Sequence, residues 1–195
     1  MRVNFARDMV TVVIAVCTVF NTIGIIQLSK EQKPDLYGEY TTPQMKEGIV
    51  VKGKDFKPLN IPLDVNLQEF TYALCQVYGM NYGFVLAVME QESGFNPYVA
   101  HEGNYGLMQI NEVNILTLQK NLGISDIQDP YNNIRAGVYM LHSLFEKYGD
   151  KEKVLMAYNI GEGGAKLLWS KGIYYTNYTN AIAQKHAKYR ELLGK

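Results

Sequence analysis

The sequence predicts a mainly α-helical domain that is preceded by a transmembrane helix at the N-terminus. Apolar residues recur at helical spacing through most of residues 61–195, and the alternation typical of strands is rare there. Near the start of the chain, residues 9–28 form a stretch of 20 residues without a single charge. These two observations set the fold class, and each element is justified in order below.

Residues 9–28 predict a membrane-spanning segment. As a helix this stretch would rise about 30 Å, which matches the hydrocarbon core of a bilayer. The residues around its end, Gln27-Leu28-Ser29-Lys30, provide no clear small-x-small cleavage site. An uncleaved anchor over residues 1–28 is therefore favoured over a cleaved signal peptide, which stays the alternative. Basic residues flank the segment on both sides, so charge alone does not fix its orientation.

Residues 29–60 have the composition of a linker. Three X-Pro steps interrupt this stretch, and its charges are scattered. It contains a single short β-branched run, residues 48–51. We therefore expect the folded domain to occupy residues 61–195.

The first helix of the domain follows an apolar stripe with the spacing i, i+3, i+7, i+8 and i+11: Leu67, Phe70, Leu74, Cys75 and Tyr78. Asn66 and Glu69 resemble a capping box at its start, and Gly79 is a suitable end. The next run, residues 84–89, is apolar on all sides. Such a run predicts a helix in the centre of the domain, and it stops at Ser93-Gly94.

Three more helical segments follow. Asp129-Pro130 predicts an N-cap and a first-turn proline, ahead of a stripe that closes near Gly149. Asp150 starts a helix through Tyr158, and a glycine-rich break over residues 161–164 separates it from residues 165–169. A last amphipathic helix runs from about Asn177 to Leu193. Gly106 and Gly161 are interpreted as turn glycines with positive φ.

Composition excludes several functions. The chain has 19 basic and 19 acidic residues, so nothing indicates a nucleic-acid partner. Cys17 and Cys75 form no CxxC motif, and the three histidines show no HExxH spacing. We expect no metal site, no disulfide framework and no cofactor.

The main candidate for a catalytic residue is Glu92, which lies at the end of the apolar helix. Burial and the negative end of the helix dipole both disfavour an ionised carboxylate, so we expect a raised pKa for Glu92. A protonated carboxyl is what a general acid in glycosidic cleavage needs. Glu90 is the rival, but two residues along a helix turn its side chain by about 200°. We expect Glu90 to be the solvated carboxylate.

Four ordered blocks carry a resemblance to the catalytic domain of soluble lytic transglycosylases. The blocks are Glu92-Ser93-Gly94-Phe95-Asn96-Pro97, Tyr105-Gly106-Leu107-Met108-Gln109-Ile110-Asn111, Asp129-Pro130-Tyr131-Asn132-Asn133-Ile134 with Gly137, and Ala157-Tyr158-Asn159-Ile160-Gly161. The resemblance spans roughly residues 67–189. It implies a lysozyme-like fold and cleavage of peptidoglycan glycan strands between MurNAc and GlcNAc, without a cofactor.

By this resemblance Glu92 matches the family's acid/base glutamate. The residues implied to contact substrate or line the cleft are Ser93, Gln109, Tyr158, Asn159 and Tyr178. The implied reaction closes the muramoyl 6-hydroxyl onto the anomeric carbon and leaves 1,6-anhydromuramoyl ends. Because the substrate lies outside the membrane, we expect a single-pass protein of the bacterial cell membrane with the domain on the outer face. A secreted enzyme is the alternative.

Two other functions stay open. A hydrolytic muramidase would need a second carboxylate, for which Glu102, Glu112 and Glu162 are the candidates. Glu162 is also a departure from the family, which often has glycine or proline there, and it is expected at the cleft mouth. The third possibility is an inactive wall-binding module of an envelope-spanning assembly, which the intact Glu92-Ser93 and Tyr158-Asn159 pairs argue against.

Overall fold

Six helices and three short strands make up residues 55–194, the part of the chain that the computed structural model describes. In chain order they are α1 (Val65–Tyr78), α2 (Tyr82–Ser93), β1 (Ala100–His101), β2 (Asn104–Tyr105), β3 (Ile110–Asn111), α3 (Glu112–Leu122), α4 (Pro130–Tyr148), α5 (Lys151–Ser170) and α6 (Asn177–Leu192). The mainly helical class is confirmed. The predicted transmembrane segment, residues 9–28, and most of the predicted linker lie outside the described residues. Within residues 55–194, no helix is both long and apolar enough to cross a bilayer.

Helix α1 begins earlier than predicted. Its N-cap is Asp64, whose carboxylate accepts a hydrogen bond from the backbone N–H of Asn66 at 2.8 Å. The predicted capping box of Asn66 and Glu69 is therefore wrong, because Asp64 already supplies the acceptor that the free N–H groups require. The predicted apolar stripe is confirmed, since four of its five residues are buried. Gly79 ends the helix with a φ of 63°, as predicted.

Helix α2 is the central helix that the sequence predicts. Residues 84–89 are all buried, and the helix ends at Ser93 before Gly94, whose φ is 59°. It packs against α1 on one side and α6 on another. The contact with α6 is close at Gly83, because a Cβ there would lie 3.2 Å from the Cβ of Tyr189. A helix that is buried from Tyr82 to Met89 thus carries Glu92 in its last turn.

The strands form a small antiparallel sheet of order β1-β2-β3, and α3 follows it directly. Helix α3 was not predicted. Asn111 caps it and Gly123 ends it, but only Leu118 and Leu122 are buried. Its other apolar residues include Val113 and Leu116, which are 79% and 80% exposed and so obscure the helical period.

Helices α4 and α5 start as predicted at Asp129-Pro130 and at Asp150. Gly149 ends α4 with a φ of 63°. The predicted break in α5 narrows to one residue, Gly161, with φ 71° and ψ 158°, and the helix resumes after it. Helix α6 begins at Asn177 as expected, with Thr176 and Thr179 in a reciprocal capping box.

Candidate active site

A cleft of about 830 Å³ opens beside the C-terminal end of α2. Its walls come from the sheet region, from α3 and α4, and from the middle of α5 around the Gly161 kink. The predicted residues Glu92, Gln109, Tyr158 and Asn159 all line it. The structure therefore brings together residues from three of the four sequence blocks.

Glu92 is the carboxylate of this cleft at the end of α2. Burial raises the pKa of its carboxyl from 4.5 to about 7, and a hydrogen bond from Tyr178 opposes that rise in part. The direction agrees with the expectation from the apolar helix. Near neutral pH a large fraction of Glu92 is therefore protonated and able to give up a proton.

Tyr178 reaches Glu92 from a distant part of the chain. Its hydroxyl, at the start of α6, donates to Oε1 of Glu92 across a separation of 86 residues. Burial and the nearby Glu92 carboxylate raise the pKa of Tyr178 well above 10, so it stays a phenol and a donor. Tyr178 thus fixes the orientation of the Glu92 carboxyl.

Tyr158 lines the cleft but donates elsewhere. Its hydroxyl donates to the backbone carbonyl of Met108 at 2.8 Å. Burial, and after it the charge of Glu92, raise the pKa of Tyr158 well above 10. The Tyr158 hydroxyl therefore donates its one proton to the Met108 carbonyl. Unlike Tyr178, it does not donate to the Glu92 carboxylate.

Two other predicted residues also bond to the backbone of the same loop. The Ser93 hydroxyl lies 2.8 Å from the carbonyl of Leu107 and 3.2 Å from that of Met89. The side-chain amide of Gln109 donates to the Gly106 carbonyl at 2.8 Å and to that of Val99 at 3.2 Å. In this structure both side chains bind the loop, which they hold beside Glu92.

Asn133 is the residue behind this loop, and sequence reasoning gave it no role. Its fully buried amide accepts from the Met108 N–H at 2.8 Å and donates to the carbonyls of Tyr105 at 2.8 Å and Ile127 at 3.0 Å. A Cβ on Gly106 would lie 2.6 Å from Nδ2 of Asn133. The predicted positive φ of Gly106 is confirmed at 72°, and the close approach to Asn133 is a second requirement for glycine there.

The other carboxylates that were considered from the sequence differ from Glu92 in their exposure and in their bonding partners. Burial alone would raise the pKa of Glu90, but hydrogen bonds from Tyr189 and from Lys188, at 2.9 Å, outweigh it and lower that pKa. Glu90 is thus held in an ion pair and is not simply solvated. Glu102 is exposed and lies 3.6 Å from His101.

Glu162 lines the cleft, whereas Glu112 lies against Gly103 at the start of α3. Lys147 and Tyr148 both donate to the Glu162 carboxylate, and these hydrogen bonds lower its pKa. Among the described residues that line the cleft, Glu92 and Glu162 are the carboxylates. Within residues 55–194, no three histidine, cysteine or acidic side chains are grouped to hold a metal ion.

The fold is similar to that of lytic transglycosylases of known structure. The 70-kDa soluble lytic transglycosylase from Escherichia coli superposes with a TM-score of 0.57 at 21% identity, over 67% of this chain and 26% of that one. The lytic transglycosylase Slt from Pseudomonas aeruginosa also gives 0.57, at 20% identity, over 64% of this chain and 24% of its own. The domain therefore shares the fold of the matching part of these two structures.

Residues 72–173, more than half of the chain, match the family model described as the transglycosylase SLT domain, and the chain belongs to that family. A membrane-bound lytic murein transglycosylase C from Klebsiella pneumoniae is 32% identical over 54% of this chain and 34% of its own length. A membrane-bound lytic murein transglycosylase F from Vibrio cholerae is 36% identical over 52% of this chain and 20% of its own length. The match thus spans between 20% and 34% of the length of these relatives. Tyr178 lies beyond residues 72–173, and its place beside Glu92 rests on the geometry.

Proposed function

We propose that this chain is a peptidoglycan lytic transglycosylase that cleaves the bond between MurNAc and GlcNAc with Glu92 as its only acid/base. The observation that carries the proposal is the buried Glu92 carboxyl, with a pKa of about 7, in a cleft lined by amides. Gln109 and Asn159 offer donors and acceptors suited to acetamido and hydroxyl groups. The family and its named relatives support the same substrate.

The first step is protonation of the leaving group. Glu92 gives its proton to the glycosidic oxygen, and the bond from that oxygen to the anomeric carbon breaks. The substrate's own 2-acetamido group stabilises the cationic centre that develops. Tyr178 holds the carboxyl in place and stabilises the carboxylate that is left.

The second step closes a ring. Glu92, now ionised, takes the proton of the muramoyl 6-hydroxyl as that oxygen bonds to the anomeric carbon. Glu92 is then protonated again, and the product is a 1,6-anhydromuramoyl end. A hydroxyl on the same sugar has an effective molarity that bulk water lacks, so ring closure outruns hydrolysis where the pocket excludes water.

A hydrolytic muramidase is the second candidate, and Glu162 is the observation in its favour. It is a carboxylate in the cleft with a lowered pKa. Hydrogen bonds from Lys147 and Tyr148 make it a weak base, however, which favours the mechanism that relies on Glu92 alone.

The Glu92 assignment is tested with a matched pair of variants. We expect Glu92→Gln to lose activity on purified peptidoglycan by roughly 10²- to 10⁴-fold while it stays folded. Glu90→Gln removes a carboxylate two residues away on the same helix and should keep most of the activity. An active Glu92→Gln together with an inactive Glu90→Gln would show that the acid is misassigned.

The proposal includes location. A glycan substrate outside the membrane and the apolar segment 9–28 fit a single-pass anchor with residues 61–195 on the outer face of a bacterial cell membrane. Two of the relatives are named membrane-bound, which supports an envelope location.

A further inference from the structure

Four exposed apolar side chains lie close together in sequence where α5 ends. They are Leu167, Ile173, Tyr174 and Tyr175, which are between 42% and 66% exposed. Elsewhere in residues 55–194, large apolar side chains that are exposed occur singly or, on α3, as a pair. A single exposed apolar residue is ordinary, whereas a group of them marks a surface that meets an apolar partner.

The chain folds back on itself after α5. Gly172 has a φ of 76°, and the backbone N–H of Ile173 donates to the carbonyl of Leu168 at 3.0 Å. This hydrogen bond closes the end of the helix. Ile173 therefore lies beside the last turn of α5, the turn that carries Leu167.

Aromatic rings tie the next residue to the same place. The Nζ of Lys153 lies 5.9 Å from the ring centroid of Trp169 and 6.0 Å from that of Tyr174. Trp169 is partly buried, and its Nε1 lies 3.3 Å from the sulfur of Met156. Tyr174 is thus held near a Trp169 side chain that the domain itself fixes.

The segment around these side chains is basic, although the charge of the whole chain is zero. Residues 163–190 contain five basic residues and no aspartate or glutamate. Two of the five, Lys166 and Lys171, are exposed next to the apolar group. Lys166 lies 3.8 Å from Glu162, but that carboxylate already accepts a hydrogen bond from Lys147. We call Leu167, Ile173 and Tyr174, together with Lys166 and Lys171, the apolar-basic patch.

We propose that the apolar-basic patch docks on a bilayer surface that contains anionic phospholipid. Rings with an apolar body and a polar edge favour the headgroup region, and lysines beside them attract lipid phosphates. The proposed anchor at residues 9–28 favours this occupant over a protein, because a tether raises the local concentration of lipid and makes a weak contact sufficient. The inference goes beyond the proposed reaction and rests only on the proposed location.

The test uses the single tryptophan of the chain as its reporter. The full-length protein is reconstituted in vesicles of phosphatidylcholine, with or without phosphatidylglycerol, and part of the lipid carries bromine on its acyl chains. Bromine quenches a nearby indole, and residues 9–28 contain no tryptophan, so the signal comes from Trp169 beside the patch. We expect quenching at least about twofold stronger in the anionic vesicles than in the neutral ones, with a smaller difference at high salt.

Two variants of the patch have matched controls on α3. Lys171→Glu reverses a charge and Leu167→Ser removes an apolar side chain, and each should reduce the quenching in anionic vesicles about twofold. Lys120→Glu, in the last turn of α3, and Leu116→Ser, at a residue that is 80% exposed, make the same changes away from the patch. Both controls should quench as the wild type does.

Absence of quenching in the wild type would overturn the docking proposal and leave the patch to a protein partner. Equal quenching in neutral and anionic vesicles, or equal effects of the patch variants and their controls, would overturn it as well. The readout does not depend on catalysis, so failure of the proposed reaction is seen separately, as a lack of activity on peptidoglycan. If the chain does not incorporate into vesicles, the anchor fails, and the same vesicles added to the soluble protein still test the patch.

Discussion

Glu92 is a residue whose role can be predicted from its local sequence. Six apolar residues precede it on one helix, and these are buried, so desolvation of the carboxyl follows from the sequence pattern alone. Its partner Tyr178 could not be found in the same way, because 86 residues separate the two. Only the resemblance to a family indicated Tyr178, and among 15 tyrosines the pattern does not single it out.

The raised pKa of Glu92 predicts a gain in stability when the carboxyl is removed. At pH values below 4.5 the carboxyl is protonated in the folded and unfolded states alike, so it does not affect unfolding. As the pH rises from 4.5 to about 7, the unfolded state loses the proton and the folded state keeps it, so wild-type stability falls. Glu92→Gln removes this loss. In urea unfolding the variant should match the wild type at about pH 4 and exceed it by up to about 3 kcal/mol at about pH 8. An equal difference at both pH values would contradict the burial of Glu92.

Tyr178 opposes the effect of burial on the pKa of Glu92. Its hydrogen bond favours the ionised carboxylate, so it lowers a pKa that burial raises. Without it, Glu92 stays protonated to higher pH. We expect Tyr178→Phe to move the alkaline limb of kcat/KM upward by roughly one pH unit. Tyr175→Phe, at an exposed tyrosine three residues earlier, is the control. A limb that stays in place or moves to lower pH would refute the contact.

At the scale of elements, the ends of the helices were easier to predict than helix α3, whose apolar residues do not all face the core. The signals at helix ends are local. Short side chains accept hydrogen bonds from free N–H groups of the first turn, as at Asp129, ahead of Pro130, and at Asp150. Glycines with positive φ let the chain bond back to the last turn, as at Gly79 and Gly149. Helix α3 escaped prediction because its exposed face carries apolar residues. Val113 of that face lines the cleft, as do Asn114 and Thr117.

The loop over residues 105–108 depends on one buried amide. Asn133 pairs with one N–H and two carbonyls around this loop, and the loop in turn accepts hydrogen bonds from Ser93 and Tyr158. We expect Asn133→Leu to lower the free energy of unfolding by about 3 kcal/mol, since buried polar groups lose their partners. Asn180→Leu, at an exposed position of α6, should change it by less than about 0.5 kcal/mol. Both values come from urea denaturation, and similar values for the two variants would refute the role of Asn133.

At the scale of the whole molecule, the site is assembled from segments that lie far apart in sequence. Tyr158 reaches the Met108 carbonyl over 50 residues, and α6 returns to pack on α2. Periodicity predicts where helices occur but not which helices meet. The ordered blocks supplied that information, because their resemblance to a family implies a shared three-dimensional arrangement.

The proposed anchor predicts the topology of the full chain. With residues 9–28 in the membrane, residues 61–195 should be digested by protease that is added to spheroplasts. These are cells whose outer layers have been removed and whose cell membrane is intact. A cytoplasmic marker protein in the same cells should survive. Recovery of a soluble protein whose N-terminus lies beyond Leu28 would replace the anchor with a cleaved signal and a secreted enzyme.

The central claim is that Glu92 drives ring closure without water. Purified peptidoglycan is digested by the full-length protein in water enriched in ¹⁸O, and the released muropeptides are weighed by mass spectrometry. The account predicts 1,6-anhydromuramoyl ends that are lighter by one water than reducing ends and carry no ¹⁸O from the solvent. Reducing muramic acid ends that carry one ¹⁸O would contradict it and would direct the search for a base to Glu162.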